Sequence, residues 1–250
     1  MPRIPRTKSA TGIYHVMVRG IDKRNIFLDD QDKTVFLEKL QKAKERSQFK
    51  LHGYCLMNNH VHLLIQEDED LGNTVKKITV GYVQWHNNRH LRTGHLFQNR
   101  YKSQNVESEP YLLTVLRYIH QNPVKANITS SPESYKWSSY SECIKSYKGE
   151  QSFLDTGIIR EYFKSASDFE EYMNVNTDEQ FLDYVESKKY TDDSLRDLIK
   201  RDFGIDTLEN YPTKERNEII KNIYSNEGVS IRQLSRVLNL GRSTIERAIK

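Results

Sequence analysis

A chain of 250 residues exceeds the usual single-domain size, so a catalytic domain with a smaller appended one is expected, and 36% hydrophobic against 29% charged residues excludes a disordered polyelectrolyte. No apolar run approaches the roughly 18 residues that span a bilayer, and the opening MPRIPRTKSATG holds no apolar secretion segment, so a cytoplasmic protein with no membrane association is expected. Two distant cysteines, Cys55 and Cys143, exclude a disulfide framework and a four-cysteine zinc site, while the net charge of +4 divides unevenly: residues 1–130 hold 20 Lys and Arg against 12 Asp and Glu, residues 131–250 hold 18 against 22, and all eight histidines lie between His15 and His120. A basic half holding every imidazole suits a polyanionic partner and metal chemistry.

After a basic tail (Arg3, Arg6, Lys8), the alternation of Tyr14, Val16 and Val18 predicts a first strand over residues 13–19. Asp29 and Asp30 then precede Phe36, Leu37, Leu40 and Ala43 at helical spacing, predicting a capped helix to about Ser47. LHGYCLM and HVHLLIQ read as two strands joined at Asn58-Asn59, a pair that tolerates the positive φ of a two-residue hairpin turn. Leu71, Val75, Ile78, Tyr82 and Trp85 mark a second amphipathic helix ending near Asn87-Asn88-Arg89, and a further strand is expected from Leu96 to Val106. Ser108, Glu109 and Pro110 open a third helix, which Pro123 is expected to stop after about His120.

The order β-α-β-β-α-β-α implies an α+β, ferredoxin/RRM-like sandwich, with helices packed on one face of a central antiparallel sheet and the other face left for a ligand. The polar TSSPES stretch at 129–134 places a domain boundary there, giving a catalytic domain over residues 1–130 and a mostly helical region over 131–250. Its last segment, 229–250, has two short apolar-periodic runs split by Asn239-Leu240-Gly241, a helix-turn-helix pattern rich in Arg.

Strand alternation sends Val61, Leu63 and Ile65 to one face and His60 with His62 to the other, where two imidazoles at i and i+2 can reach one divalent ion. The run from Tyr54 to Ile65 resembles the His-hydrophobic-His region of the IS200-like transposases, especially the group associated with repetitive extragenic palindromes. Gly12 to Val16 with Arg19-Gly20, Ile26-Phe27, Leu96-Phe97-Gln98 with Arg100 to Ser103, and Arg117-Tyr118-Ile119 with Asn122 to Ala126 are similar to that family's other blocks, in the same order. The resemblance covers about residues 10–140.

It implies DNA transposition and recombination by Tyr118 as nucleophile, with Mg²⁺ or Mn²⁺ on His60 and His62 polarising the scissile phosphate, and a covalent 5′-phosphotyrosine link formed on single-stranded or hairpin DNA. It also implies a third ligand one turn after the tyrosine, which is Asn122; because Asn122 precedes a proline, Gln121 or a neighbour remains an alternative. Tyr111 is read as packing, and Cys55 with His60 and His62 lacks a fourth ligand for zinc.

Arg19, Lys23, Arg24, Arg89, Arg92, Arg100 and Lys102 are candidates for phosphate contact, and Trp85, His86 and Tyr101 for stacking on unpaired bases, although Trp85 also falls on an apolar stripe. In the last segment, which looks like the DNA-binding part of bacterial replication initiators, Ser243, Thr244 and Arg247 are the DNA-facing candidates. Two other readings stay open: a non-catalytic DNA-binding regulator of palindromic sites, and a metal-dependent nuclease in which water attacks. The sequence shows no interface, so monomer and homodimer both remain open.

Overall fold

The computed structural model describes residues 7–68, 70–98, 100–176, 181, 190–204, 208, 211–227 and 229–249. Arg3, Arg6 and Lys250 lie outside them. Contacts divide the chain into two compact units, 1–182 and 183–250.

The first unit is built on four antiparallel strands, β1 (Ile13–Arg19), β2 (Lys50–Met57), β3 (His60–Gln66) and β4 (Lys102–Asn105), ordered β2-β3-β1-β4. The short β2–β3 hairpin pairs Met57 with His60, and β1 runs against both β3 and β4. The hairpin turn is the expected two residues, yet neither Asn58 nor Asn59 has positive φ. Outside contacts hold it instead: the Asn58 carbonyl accepts from the Ile26 and Phe27 amides (2.8 and 3.0 Å), and the Asn59 carbonyl from Gly20 (2.8 Å).

Helix α1 (Asp30–Ser47) starts on Asp29, whose carboxylate accepts from the Asp32 amide at 3.1 Å, and α2 (Leu71–Arg89) starts on Asp70, which accepts from the Gly72 and Asn73 amides. Their apolar stripes, including Phe36, Leu40, Val75, Ile78 and Tyr82, share one core with Val16, Val18, Val61, Leu63 and Ile65. Helix α3 (Glu109–Lys125), capped by Ser108, crosses the opposite face. There Gly53 lets it approach closely, since a Cβ at that position would lie 2.4 Å from Leu116 Cδ1. The expectation of one uncovered face is therefore corrected: the histidine-bearing face is crossed by a helix.

Two element limits also differ. The strand expected from Leu96 to Val106 is confined to Lys102–Asn105; earlier, Phe97 bridges only Gly20, and Gln98 donates to the Arg19 carbonyl, so the chain meets β1, leaves it at exposed Arg100, and rejoins. Helix α3 runs through Pro123 to Lys125. Only one i to i−4 bond is lost there, and the Ala126 amide resumes the ladder on the Asn122 carbonyl at 3.0 Å.

The expected boundary near residue 130 falls inside the first unit. Beyond a turn at Pro132–Ser134, α4 (Tyr140–Tyr147), α5 (Gly157–Tyr162) and α6 (Ala166–Asn174) bring Tyr135, Tyr140, Cys143, Ile159, Phe169 and Met173 into the same core. The second unit contains α7 (Asp192–Phe203), α8 (Thr213–Glu227), α9 (Ile231–Leu238) and α10 (Arg242–Ala248) around Leu195, Ile220, Ile223, Leu234 and Ile245. A three-residue connection joins α9 to α10, with Asn239 left-handed at φ 53°. No helix among the described residues is long and apolar enough to cross a membrane.

Candidate active site

Register places the site's side chains together. On β3, His62 lies opposite Met17 and His60 opposite Arg19; on β4, Lys102 also faces Met17. Directly opposed residues share a sheet face, so Arg19, Lys102, His60 and His62 belong to one side. The His60 and His62 rings are 4.9 Å apart and nearly perpendicular.

Each imidazole is pinned through Nδ1. His62 Nδ1 is 2.9 Å from His15 Nε2, and His60 Nδ1 is 2.6 Å from Asn59 Oδ1. His62 is fully buried, and its Nε2 has no hydrogen-bond partner. With the proton on His62 Nδ1 and donated to His15, Nε2 keeps its lone pair; that tautomer is the one a cation selects. Burial drives the His60 pKa down to about 4, with the Arg19 charge assisting, and that of His15 to about 3; burial, then His60 and His15, hold His62 well below the ordinary range. All three rings are therefore neutral near pH 7, the form that ligates metal.

Helix α3 lays Tyr118 against this pair. Its ring is 5.8 Å from both His62 and His15, edge-on to each. Phe181 packs at 4.7 Å, Lys125 Nζ lies 5.1 Å from the ring centre, and the phenol ring is buried, at 3% exposure. One turn on, Asn122 Nδ2 donates back to the Tyr118 carbonyl at 2.9 Å, so its Oδ1 is the atom suited to an ion. Gln121, the alternative third ligand, donates instead to the Met173 carbonyl on α6 at 2.6 Å. The buried, unpartnered His62 Nε2 beside a second pinned imidazole fits a divalent cation.

Residues 8–122 match the sequence pattern of the family described as Transposase IS200 like. This segment belongs to the IS200-like transposases. The transposase domain's fold is also that of a solved structure described as a REP-associated tyrosine transposase bound to a REP hairpin: TM-score 0.52, 15% identity, covering 61% of this chain and 90% of that one. A Deinococcus radiodurans R1 protein, provisionally described as a transposase, aligns at TM-score 0.35 and 19% identity over 48% of this chain and 97% of its own. None of the curated proteins matches.

The basic residues of the transposase domain divide by surroundings. Lys23, Arg24 and Arg100 are exposed, while Arg92 and Lys102 are half-buried. Arg89 is corrected: it pairs with Asp29 (2.7 and 2.8 Å) and Asp32 (2.6 Å) and lies 5.3 Å over Trp85, so its charge is spent inside the fold. Trp85, 6.0 Å from Tyr82 on the apolar stripe, and Tyr101 are both half-buried, whereas His86 is fully buried and presents no stacking surface. In the second unit Ser243 and Arg247 are exposed and Thr244 half-buried, with Arg247 Nε donating to the Ser243 carbonyl.

Sequence reading missed His15, Lys125 and Phe181. It also passed over Lys39, Lys42, Arg46, Lys76 and Lys77, which line one groove between α1 and α2. The period-2 pattern of β1 could have offered His15, but only the β1–β3 register aims it at His62.

Proposed function

We propose that the chain is a DNA strand transferase in which the Tyr118 phenol oxygen attacks a phosphodiester of single-stranded or hairpin DNA. An O–P bond forms to tyrosine, whose phenol gives up its proton, while the bond from phosphorus to the 3′ oxygen breaks and that oxygen takes up a proton, leaving a 5′-phosphotyrosine and a free 3′-hydroxyl. Attack by another 3′-hydroxyl reverses the step and rejoins DNA. Arg19 and Lys102, on the histidine face, neutralise phosphate charge; Lys23, Arg24, Arg92 and Arg100 extend the backbone contact. Lys125 places a cation beside the phenol, stabilising negative charge that develops on its oxygen.

His60 and His62, with Asn122 as third ligand, would hold Mg²⁺ or Mn²⁺, which when bound polarises the phosphate and stabilises the charge of bond breaking. His15 keeps His62 in the ligating tautomer. In the second unit, Ser243, Thr244 and Arg247 on α10 are assigned a DNA contact as part of a helix-turn-helix. The hairpin substrate draws support from the hairpin held by the structurally similar transposase.

One observation carries this reading: a buried histidine nitrogen without a partner, in a pair of neutral imidazoles, 5.8 Å from a helix-borne tyrosine ring. The test is a denaturing gel of labelled hairpin DNAs incubated with Mn²⁺ and the chain or its Tyr118→Phe variant. A slow-migrating adduct present only with Tyr118 is expected. Cleavage persisting in Tyr118→Phe would instead mean a water-using nuclease, and DNA binding without cleavage a regulator.

A further inference from the structure

A second group of metal-ligating side chains lies between the start of α1 and the end of α2, built from residues the transfer chemistry does not use. One ligand atom each from Asp32, His86 and His90 falls within 4.8 Å of the others. Among the described residues, no other such trio of His, Cys, Asp or Glu occurs. His86 lies in the last turn of α2 and His90 caps its C-terminus, where the His90 amide donates to the His86 carbonyl, and their rings are 4.5 Å apart.

The polar accounting at this spot is incomplete. His86 is fully buried, yet neither ring nitrogen has a hydrogen-bond partner. A neutral imidazole carries one donor and one lone pair, so a buried lone pair here goes unmet. Asp32 is also fully buried. Its Oδ2 accepts from the Leu28 amide at 2.7 Å, its Oδ1 from Arg89 at 2.6 Å, and His90 Nε2 lies 2.9 and 3.2 Å from the two oxygens.

Asp32 and Arg89 lie against the two imidazoles, and the charge of Arg92 also reaches His86.

We propose that Asp32, His86 and His90 bind a divalent ion of the zinc class, with water as its fourth ligand, linking the start of α1 to the end of α2 and separate from the His60 and His62 pair. Two imidazoles and one carboxylate favour Zn²⁺ over Mg²⁺ or Ca²⁺, which take oxygen ligands. A tetrahedral ion with ligands at about 2.0 Å needs them roughly 3.3 Å apart. The His90 contact with Asp32 opens slightly to meet that spacing, and the wider distances close. Arg89 stays on Asp29 and Asp32 as an outer partner that orients the carboxylate. His90 retains 17% side-chain exposure, which gives water access to the fourth position.

This inference stands apart from the proposed strand transfer and is tested without it. The 250-residue His60→Ala/His62→Ala chain, stripped with EDTA, is titrated calorimetrically with Zn²⁺. One ion per chain and a melting temperature raised by several degrees are expected. Adding His90→Asn, a polar replacement at a half-buried position, should weaken binding at least tenfold and abolish the rise. Absence of Zn²⁺ binding in the His60→Ala/His62→Ala chain, or binding unaltered by His90→Asn, overturns the proposal. Should the double variant fold poorly by circular dichroism, Zn²⁺ stoichiometry in the otherwise unaltered chain decides: a fall by one ion on His90→Asn supports the site, and an unchanged count overturns it.

Discussion

His62 uses Nδ1 inside the protein and leaves Nε2 unbonded, and the residue that fixes this division is His15, 2.9 Å away on the neighbouring strand. Outer partners that fix a ligand's tautomer commonly change metal affinity by about 10–100-fold. His15→Leu should therefore weaken Mn²⁺ binding within that range, while His15→Gln, which keeps a polar group near the same place, should lose less. Calorimetric titration of both variants decides it, and an affinity for His15→Leu within twofold of the parent would remove His15 from the site. At this scale the sequence was legible where chemistry is local. His60 and His62 share a face because strands alternate, and Tyr118 and Asn122 share one because helices repeat. Arg89 was misread for the opposite reason: its charge is visible in the sequence, but Asp29 and Asp32 are some 60 positions away, and only folding makes them its partners.

Elements were legible wherever caps and periodicity agreed, as for α1 on Asp29 and α2 on Asp70. They failed where one local rule met a nonlocal contact. Pro123 was expected to end α3, yet the helix is held to the sheet along its buried face and loses a single backbone bond near its end. The strand expected from Leu96 was cut short because Gly20 and Arg19 engage the chain at Phe97 and Gln98 before β4 begins. Gly20 also governs the turn that carries Lys23 and Arg24. A Cβ there would lie 2.1 Å from the Arg24 carbonyl oxygen and 2.9 Å from Ile26 Cγ2, and a backbone oxygen cannot rotate away. Gly20→Ala should cost on the order of 1–3 kcal/mol, as overpacked sites do, and should displace Arg19 and the basic turn together. Urea unfolding would show the lower midpoint, and hairpin binding should weaken in parallel. A midpoint unchanged from the parent would show that the turn relaxes freely and that its close approach has no energetic weight.

Across the molecule, acid stability follows from where the histidines are. Burial lowers His15 and His120 to about 3 and His60 to about 4, and His62 lies well below its ordinary value. Unfolded, each takes a proton near pH 6.5, whereas the fold refuses it until pH 3–4, so below 6.5 the unfolded chain binds more protons. Each such histidine thus weakens the fold by up to about 1.4 kcal/mol per pH unit across that window and has no effect above it. The paired carboxylates act lower: Arg89 holds Asp29 at about 2, so its contribution is lost only as pH falls below about 4. In EDTA, the melting temperature should be flat from pH 8 to 7, fall steadily from pH 6.5, and reach acid unfolding above pH 4. His120→Phe, which removes one of these rings away from His60 and His62, should move the acid midpoint downward. A midpoint below pH 4 in the parent, or one that His120→Phe leaves in place, would assign acid unfolding to the carboxylates. Every one of these rings belongs to the first unit. The uneven placement of histidine that first marked this half of the chain as chemically active therefore also makes it the half that acid unfolds.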